Sequence, residues 1–192
     1  MSPRFISRFP AFGSALLVTL VACGGSDATG HGHTPDRPLP AYTGHGAELF
    51  DDAIEPQAVG LEFETPLDPR IDPKFRERAQ VSDAILRARV DTVTERGDGA
   101  DARYDISFKV VEKISGANPP HDPFTLHVQG NNPTTGILRT MQTQLGGKMF
   151  VVFVREFVRP DGDGEWHFHL SPDAKNVASA ARDATALNQF SN

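Results

Sequence analysis

The residues best suited to chemistry lie close together near the C-terminal end of the chain, in the segment EWHFHL. Glu165, His167 and His169 alternate there with apolar residues, so on a β-strand they share one face, with neighbouring side chains about 6 to 7 Å apart. Carboxylate and imidazole groups at that spacing suit a divalent metal such as zinc or copper, if a further ligand comes from elsewhere. The alternative interpretation is the polar outer face of a strand that binds no metal.

A second chemically distinctive residue is Cys23, the single cysteine of the chain, which follows an apolar stretch. Arg4 and Arg8 precede that stretch, and the apolar segment of residues 9 to 19 is too short to span a bilayer comfortably. This order of charged, apolar and small residues is the layout of a secretory signal peptide. We therefore predict that residues 1 to 22 are a signal peptide and not part of the fold.

The end of this segment, Leu20-Val21-Ala22-Cys23, resembles the lipobox of bacterial lipoproteins. The resemblance implies cleavage before the cysteine and fatty acylation, with palmitate or similar chains, so that the mature chain is anchored in a membrane. Several acyl chains on one residue give stable anchoring. Gly24 stands where inner-membrane lipoproteins of many Gram-negative bacteria carry Asp, which favours the outer membrane, facing the periplasm or the cell surface. The alternatives are an ordinary cleaved signal peptide with a free thiol, or an uncleaved anchor.

The composition is that of a globular cargo with an acidic surface. The formal net charge of the 192 residues is -6, and it becomes more negative when Arg4 and Arg8 are removed with the signal peptide. An acidic surface argues against nucleic acid as a partner. The partners expected are the membrane, through the lipid anchor, and another envelope protein or envelope component.

A tether separates the anchor from the domain. Residues 23 to 46 are mostly Gly, Pro, His and small polar residues, a composition typical of a flexible linker. Its three histidines, His31, His33 and His45, are a second place where a metal-handling protein would bind its ion. Solvated linker histidines are the simpler interpretation. The single domain is then expected to cover residues 47 to 192.

The first half of that domain contains the clearest local signals. Residues 47 to 73 carry four prolines, which favour an extended wrapping segment. Asp72-Pro73 has the pattern of a helix N-cap and first helical position, so a short helix should follow. Residues 82 to 94 and 103 to 116 both alternate with period two and are separated by a Gly-Asp loop, which predicts a β-hairpin.

The second half predicts further strands and a closing helix. Strands are expected at residues 124 to 128, 148 to 158 and 165 to 170, the second covered on both faces because it is continuously apolar. Residues 137 to 145 alternate poorly and leave the strand count at five or six. Ser171-Pro172-Asp173 predicts the start of a helix over 171 to 188, whose packing stripe would be Val177, Ala181, Ala184 and Leu187.

These elements predict a mainly β fold: a small five- to six-stranded OB-like β-barrel with a short helix before it and a C-terminal helix. The strand order in residues 81 to 157, with SDAILRARVDTV, YDISFKVVEKISG, FTLHV and LGGKMFVVFV, resembles the netrin-like or tissue-inhibitor-like OB-fold modules. The resemblance implies a barrel with a groove. It does not imply zinc chelation by an N-terminal cysteine, because Cys23 is separated from the barrel by the tether. Netrin-like domains of animals are disulfide-bonded, and this chain departs from them because its domain has no cysteine.

No catalytic motif is present: the sequence has no nucleophile elbow, no phosphate-binding glycine loop and no His-Glu-x-x-His. We therefore expect no enzymatic activity and no cofactor. The function predicted is a binding or interaction module of the cell envelope, with a contact surface formed by Arg87, Arg89, His167 and His169. The alternative is a periplasmic metal-binding protein that uses Glu165 with the strand and tether histidines.

Lipidation gives the first testable prediction. The chain expressed in a Gram-negative host should have the intact mass of a polypeptide that begins at Cys23 and carries three acyl chains, and it should fractionate with the outer membrane. The Cys23→Ser variant should lack both properties. Mass spectrometry and membrane fractionation check the prediction, and an unmodified wild-type chain in the soluble periplasm would contradict it.

Overall fold

A computed structural model describes residues 38–61, 68–97, 102–119 and 121–189, with only the backbone of the last two residues. The elements follow in chain order: α1 Gly44–Leu49, β1 Ala53–Ile54, a 3-10 turn Pro56–Val59, α2 Pro73–Val81, β2 Ala84–Arg96, β3 Arg103–Gly116, β4 Phe124–Val128, α3 Thr134–Leu145, β5 Met149–Val158, β6 Gly164–Pro172 and α4 Lys175–Gln189.

The six strands form one curled, half-barrel sheet in the order β1-β6-β5-β2-β3-β4. Neighbouring strands are antiparallel except β1, which pairs with β6 in parallel. The predicted mainly β, barrel-like fold with a preceding short helix and a C-terminal helix is confirmed. The ordered strands leave β1 and β4 at the two sheet edges.

One face of the sheet packs against α3. Leu138 and Leu145 of α3 join buried side chains from β2 to β6, among them Leu86, Phe108 and Phe168. Each of these lies at an alternate position of its strand, as period-two patterning requires. The apolar face predicted for β2, β3 and β4 is therefore the face that contacts α3.

The opposite face packs against α2 and α4. Phe75 of α2 and Ala181 of α4 lie in one buried cluster with Ile85 of β2 and with Val151 and Phe153 of β5. β5 is therefore covered on both faces, as its continuous apolar run predicts, and Phe150 to Val154 are fully buried.

The hairpin and the first predicted helix are confirmed. β2 and β3 pair antiparallel from Ala84 opposite Gly116 to Arg96 opposite Arg103, with three register shifts. α2 begins after Asp72, whose carboxylate accepts a hydrogen bond from the Lys74 N–H at 2.9 Å. Local capping chemistry was enough to locate this helix.

Two elements differ from the sequence interpretation. Residues 137 to 145 belong to the helix α3 and add no strand; the sixth strand is β1, in the proline-containing segment. The C-terminal helix begins at Lys175, since Pro172 still pairs with Phe150 as the last residue of β6. Leu187 is 59% exposed, so its place in the predicted packing stripe is wrong, while Val177, Ala181 and Ala184 are buried.

Residues 38–55, here called the strap, lie against β5 and β6. Val158 N–H donates to Pro40 C=O at 2.9 Å, and Ala41 forms a parallel bridge with Val158. The composition assigns residues up to 46 to the tether, so the structure extends the domain into the predicted linker. The physical reason is pairing to a strand that composition cannot reveal.

Cys23, His31, His33 and the rest of the predicted signal peptide and tether up to residue 37 lie outside the described residues. Within the described ranges, no helix is both long and apolar enough to cross a bilayer.

Gly116, the last residue of β3, allows a test of the close approach between the end of β3 and the start of β2. Its φ is +78°, and an added Cβ would lie 2.1 Å from the Asp83 carbonyl oxygen. We expect Gly116→Ala to lower the free energy of unfolding by at least about 2 kcal/mol, because backbone and not a flexible side chain must move. Urea unfolding measures the change.

Gly147→Ala is the matched control. Gly147 has a similar φ of +80°, but an added Cβ would meet no atom within 4 Å. Only the left-handed backbone penalty of about 1 kcal/mol should then remain. Equal losses in the two variants would contradict the close approach at Gly116.

Candidate functional site

The strap is fixed to β6 by backbone pairing at the point where it carries its acids. Ala53 pairs with His169, the Asp52 N–H donates to Phe168 C=O at 2.9 Å, and the Glu55 N–H donates to Leu170 C=O at 2.9 Å. Asp52 adopts a φ of +52°, a conformation that a non-glycine residue rarely takes. Side chains on a strand point alternately to its two faces, and the backbone bends at Asp52. Together these two features bring three carboxylates of the strap to the two histidines of β6.

His169 is held by two carboxylates. Its Nδ1 lies 2.7 Å from Asp51 Oδ1 and its Nε2 lies 3.0 Å from Glu55 Oε1. Ser171 donates its hydroxyl to the same Glu55 oxygen at 2.6 Å. Both ring nitrogens of His169 are therefore in contact with carboxylates, and its side chain is 9% exposed.

His167 is held by one carboxylate and one aromatic ring. Its Nδ1 is hydrogen-bonded to Asp52 Oδ2 at 2.9 Å, and the other Asp52 oxygen accepts the Phe168 N–H at 3.1 Å. The Tyr42 ring stacks on the imidazole with centroids 3.3 Å apart and planes 6° apart. Tyr42 also donates its hydroxyl to Phe50 C=O at 2.7 Å. The ring orientation of His167 is therefore determined from both sides.

We call Asp51, Asp52, Glu55, His167 and His169 the acid–histidine cluster. Burial raises the pKa of Asp51 and of Glu55, but the hydrogen bonds and charge of His169 outweigh it, and both carboxyls lie below their ordinary values. For Asp52 burial prevails over the contact with His167 and raises the pKa.

Arg78 supports the cluster from α2. It is 4% exposed, and its Nε donates to Leu49 C=O at 2.6 Å, just before the two aspartates. Its positive charge further lowers the pKa of Asp51 and Glu55. A buried guanidinium near two carboxylates is thus part of how the strap is stabilised.

A cleft of about 510 Å³ opens beside His167. It lies among the strap, the end of β4 and the turn between β5 and β6, and its polar lining includes Tyr42, His127, Gln129, Arg159, Glu165 and His167. Its volume is in the range of small-molecule sites, and such sites combine apolar walls with a few convergent polar groups.

The three residues predicted as metal ligands take different roles. Glu165 Oε2 lies 4.0 Å from His167 Nε2, while both nitrogens of His169 are occupied by carboxylates. Among the residues that the structure describes, no three His, Cys, Asp or Glu side chains form a group suited to a metal ion. The predicted polar outer face is also covered, since the strap lies over it and β6 is not an edge strand.

The predicted contact arginines lie on β2, with β5 between them and the histidines. Arg87 donates to Asp173 at 2.7 and 2.9 Å and to its cross-strand neighbour Glu112 at 3.0 Å. Arg89 is exposed. Arg87 thus has the cross-sheet pairing role that is common for such residues, and the structure brings neither arginine to the cleft.

Asp51 and Asp52 are not among the candidate residues of the sequence, because they lie in the segment whose prolines favour an extended conformation. In the structure, backbone pairing of this segment with β6 fixes their positions. The sequence did contain a usable signal. Three acidic residues lie within five positions, and they could pair with the strand that carries two histidines on one face. Tyr42, placed in the tether by composition, was also missed.

The cluster predicts a defined pH dependence of stability. Because Asp51 and Glu55 have lowered pKa values, they stabilise the fold above their unfolded pKa, and this is lost as the pH falls through the folded values. Asp52, with a raised pKa, contributes with the opposite sign. We expect His169→Gln to flatten the loss of stability between about pH 5 and about pH 3, and to cost about 1–3 kcal/mol at neutral pH. Chemical unfolding across this pH range measures both effects.

His121→Gln is the control, because His121 is exposed in the loop before β4 and lies outside the cluster. This variant should keep the wild-type profile. The assignment of the acid-dependent stability to His169 would be wrong if both variants had the same profile.

Comparison with known proteins finds no matching family model and no matching curated protein.

Proposed function

We propose that this protein is a lipid-anchored binding module of the bacterial cell envelope, whose ligand site is the cleft beside His167. The observation that carries the proposal is a cleft whose wall is built by a strap with fixed side-chain positions. The Tyr42 ring stacks on the His167 imidazole, and His167 is hydrogen-bonded to Asp52. A site with side chains already in place binds with a smaller entropic cost.

The position of the cleft supports a binding role. It is open to solvent at the rim of the sheet, where the strap, the end of β4 and the β5–β6 turn meet. Loops and strand ends on a rigid sheet are the usual location of binding residues. The two packed faces of the sheet provide that rigidity.

The proposed location in the cell rests on the sequence. A signal-peptide layout followed by the lipobox-like Leu20-Val21-Ala22-Cys23 supports anchoring in the outer membrane. The residues between Cys23 and the strap have the composition of a linker, which would let the domain contact molecules at a distance from the anchor. The domain would then meet envelope components on the periplasmic or outer surface.

The geometry gives less support to a metal-handling role. A histidine that binds a metal must offer it a free ring nitrogen, and both nitrogens of His169 already contact carboxylates, those of Asp51 and Glu55. The geometry therefore supports a binding module better than a metal-handling protein.

Amide NMR of the full chain in detergent tests the cleft. We expect the small-molecule and peptide fraction of a Gram-negative envelope extract to shift amide signals that cluster at Tyr42, Gln129 and Glu165. Thr43→Arg should abolish these shifts, because Thr43 is exposed and lines the cleft, where a long side chain would fill space.

Thr92→Arg is the matched control, since Thr92 is exposed on β2 and does not line the cleft. It should leave the shifts unchanged. Shifts that map to another surface, or that survive in Thr43→Arg, would overturn the proposed site.

A further inference from the structure

The basic and the acidic side chains of the cleft differ in how completely they are paired with groups of opposite charge. Each of its basic side chains already contacts a carboxylate. Arg159 lies 3.5 Å from Asp161 and 3.2 Å from Asp163, and His127 Nδ1 lies 2.8 Å from Asp105 Oδ1. His167 Nδ1 contacts Asp52. The positive side of the cleft is therefore largely neutralised.

Glu165 is the exception. Its side chain is 28% exposed, and the basic atom that lies near it among the described residues, His167 Nε2, is 4.0 Å away, beyond hydrogen-bond distance. Within the described ranges no residue donates a hydrogen bond to its carboxylate. A partly desolvated carboxylate without a donor favours a ligand that brings one.

His167 supplies a second acceptor at the same point when its imidazole is neutral and Asp52 is ionised. The Asp52 carboxylate then takes the Nδ1 proton as its hydrogen-bond donor, and the lone pair is on Nε2, 4.0 Å from Glu165 Oε2. Two acceptors 4.0 Å apart fit a single nitrogen that lies about 2.9 Å from each of them. A protonated amino group, with three N–H donors, has this geometry.

The residues around Glu165 and His167 also favour a positively charged ligand. Burial raises the pKa of the Tyr42 phenol, and the charges of Asp52, Asp51 and Glu165 raise it further, which shows a negative potential at this wall. The formal net charge of -6 attracts cations at longer range. Val158 and Pro160, which line the cleft together with Tyr42, offer apolar surface to an aliphatic chain.

We propose that the cleft binds a primary ammonium group carried on an aliphatic chain, held by Glu165 and His167 Nε2. This inference rests on the proposed function and names the ligand chemistry of the same site. Two sources supply such a group, a free aliphatic amine and the side chain of a lysine in a peptide.

The test compares 5-aminopentan-1-ol with pentane-1,5-diol, which differ at one end in an ammonium or a hydroxyl group. Titrations are followed by amide NMR of the full chain in detergent at low ionic strength. We expect saturable shifts at the cleft with the amine and at least about tenfold weaker binding of the diol. Equal binding of the two compounds would overturn the inference.

Glu165→Gln should weaken binding of the amine at least about tenfold, since the variant keeps the shape of the side chain and removes its charge. Glu95→Gln is the matched control, because Glu95 is an exposed carboxylate on β2 that does not line the cleft. Loss of binding in both variants or in neither contradicts the assignment to Glu165. The spectra of the free variants report whether each is folded.

A third titration, with Nα-acetyl-lysine amide, separates the two sources. Binding of this compound through the same amides assigns the site to peptide side chains, and binding of the amino alcohol alone assigns it to free amines. Shifts at the cleft with the envelope fraction but with neither amine would overturn this inference and leave the proposed function standing. No cleft shifts with any of these samples would overturn both.

Discussion

The attachment of the strap to β6 is the interaction on which the site depends. A short parallel pairing aligns the backbones, and the acid–histidine cluster then ties three carboxylates of the strap to two histidines of the strand. Without the strap, His167 would lose Tyr42 and Asp52 together, and the cleft would lose one wall. The same contacts thus hold the fold together and shape its candidate site.

The cluster is stable only as a set, because buried charges are costly when they lose a partner. Burial disfavours ionised carboxylates, whereas His169 and Arg78 favour them at Asp51 and Glu55. Asp52 has a single histidine and a backbone N–H as partners, and there burial prevails. Asp52 is therefore the least stabilised carboxylate of the strap, and it lies at the edge of the cleft.

Much of the fold was predictable because its signals are local. Alternation located β2, β3 and β4, a continuous apolar run located β5, and an Asp-Pro pair located α2. The errors arose where pairing overrides local pattern. β1 is two residues long and exists only through β6, and Pro172 remains in β6 because its backbone pairs with Phe150. α3 was missed because its side chains follow a helical period that alternation does not detect.

The sequence alone determined which residues alternate, where the central strand lies, and that two histidines and a glutamate share one face of a strand. It also supplied the lipobox-like segment on which the proposed address depends. Only the tertiary structure decided what covers that face. Asp51 and Asp52 are more than a hundred residues from the histidines along the chain, and no local pattern reports a contact across that separation. The pairing of strap and strand makes that contact and places the strap beside Glu165 of β6 in the lining of one cleft.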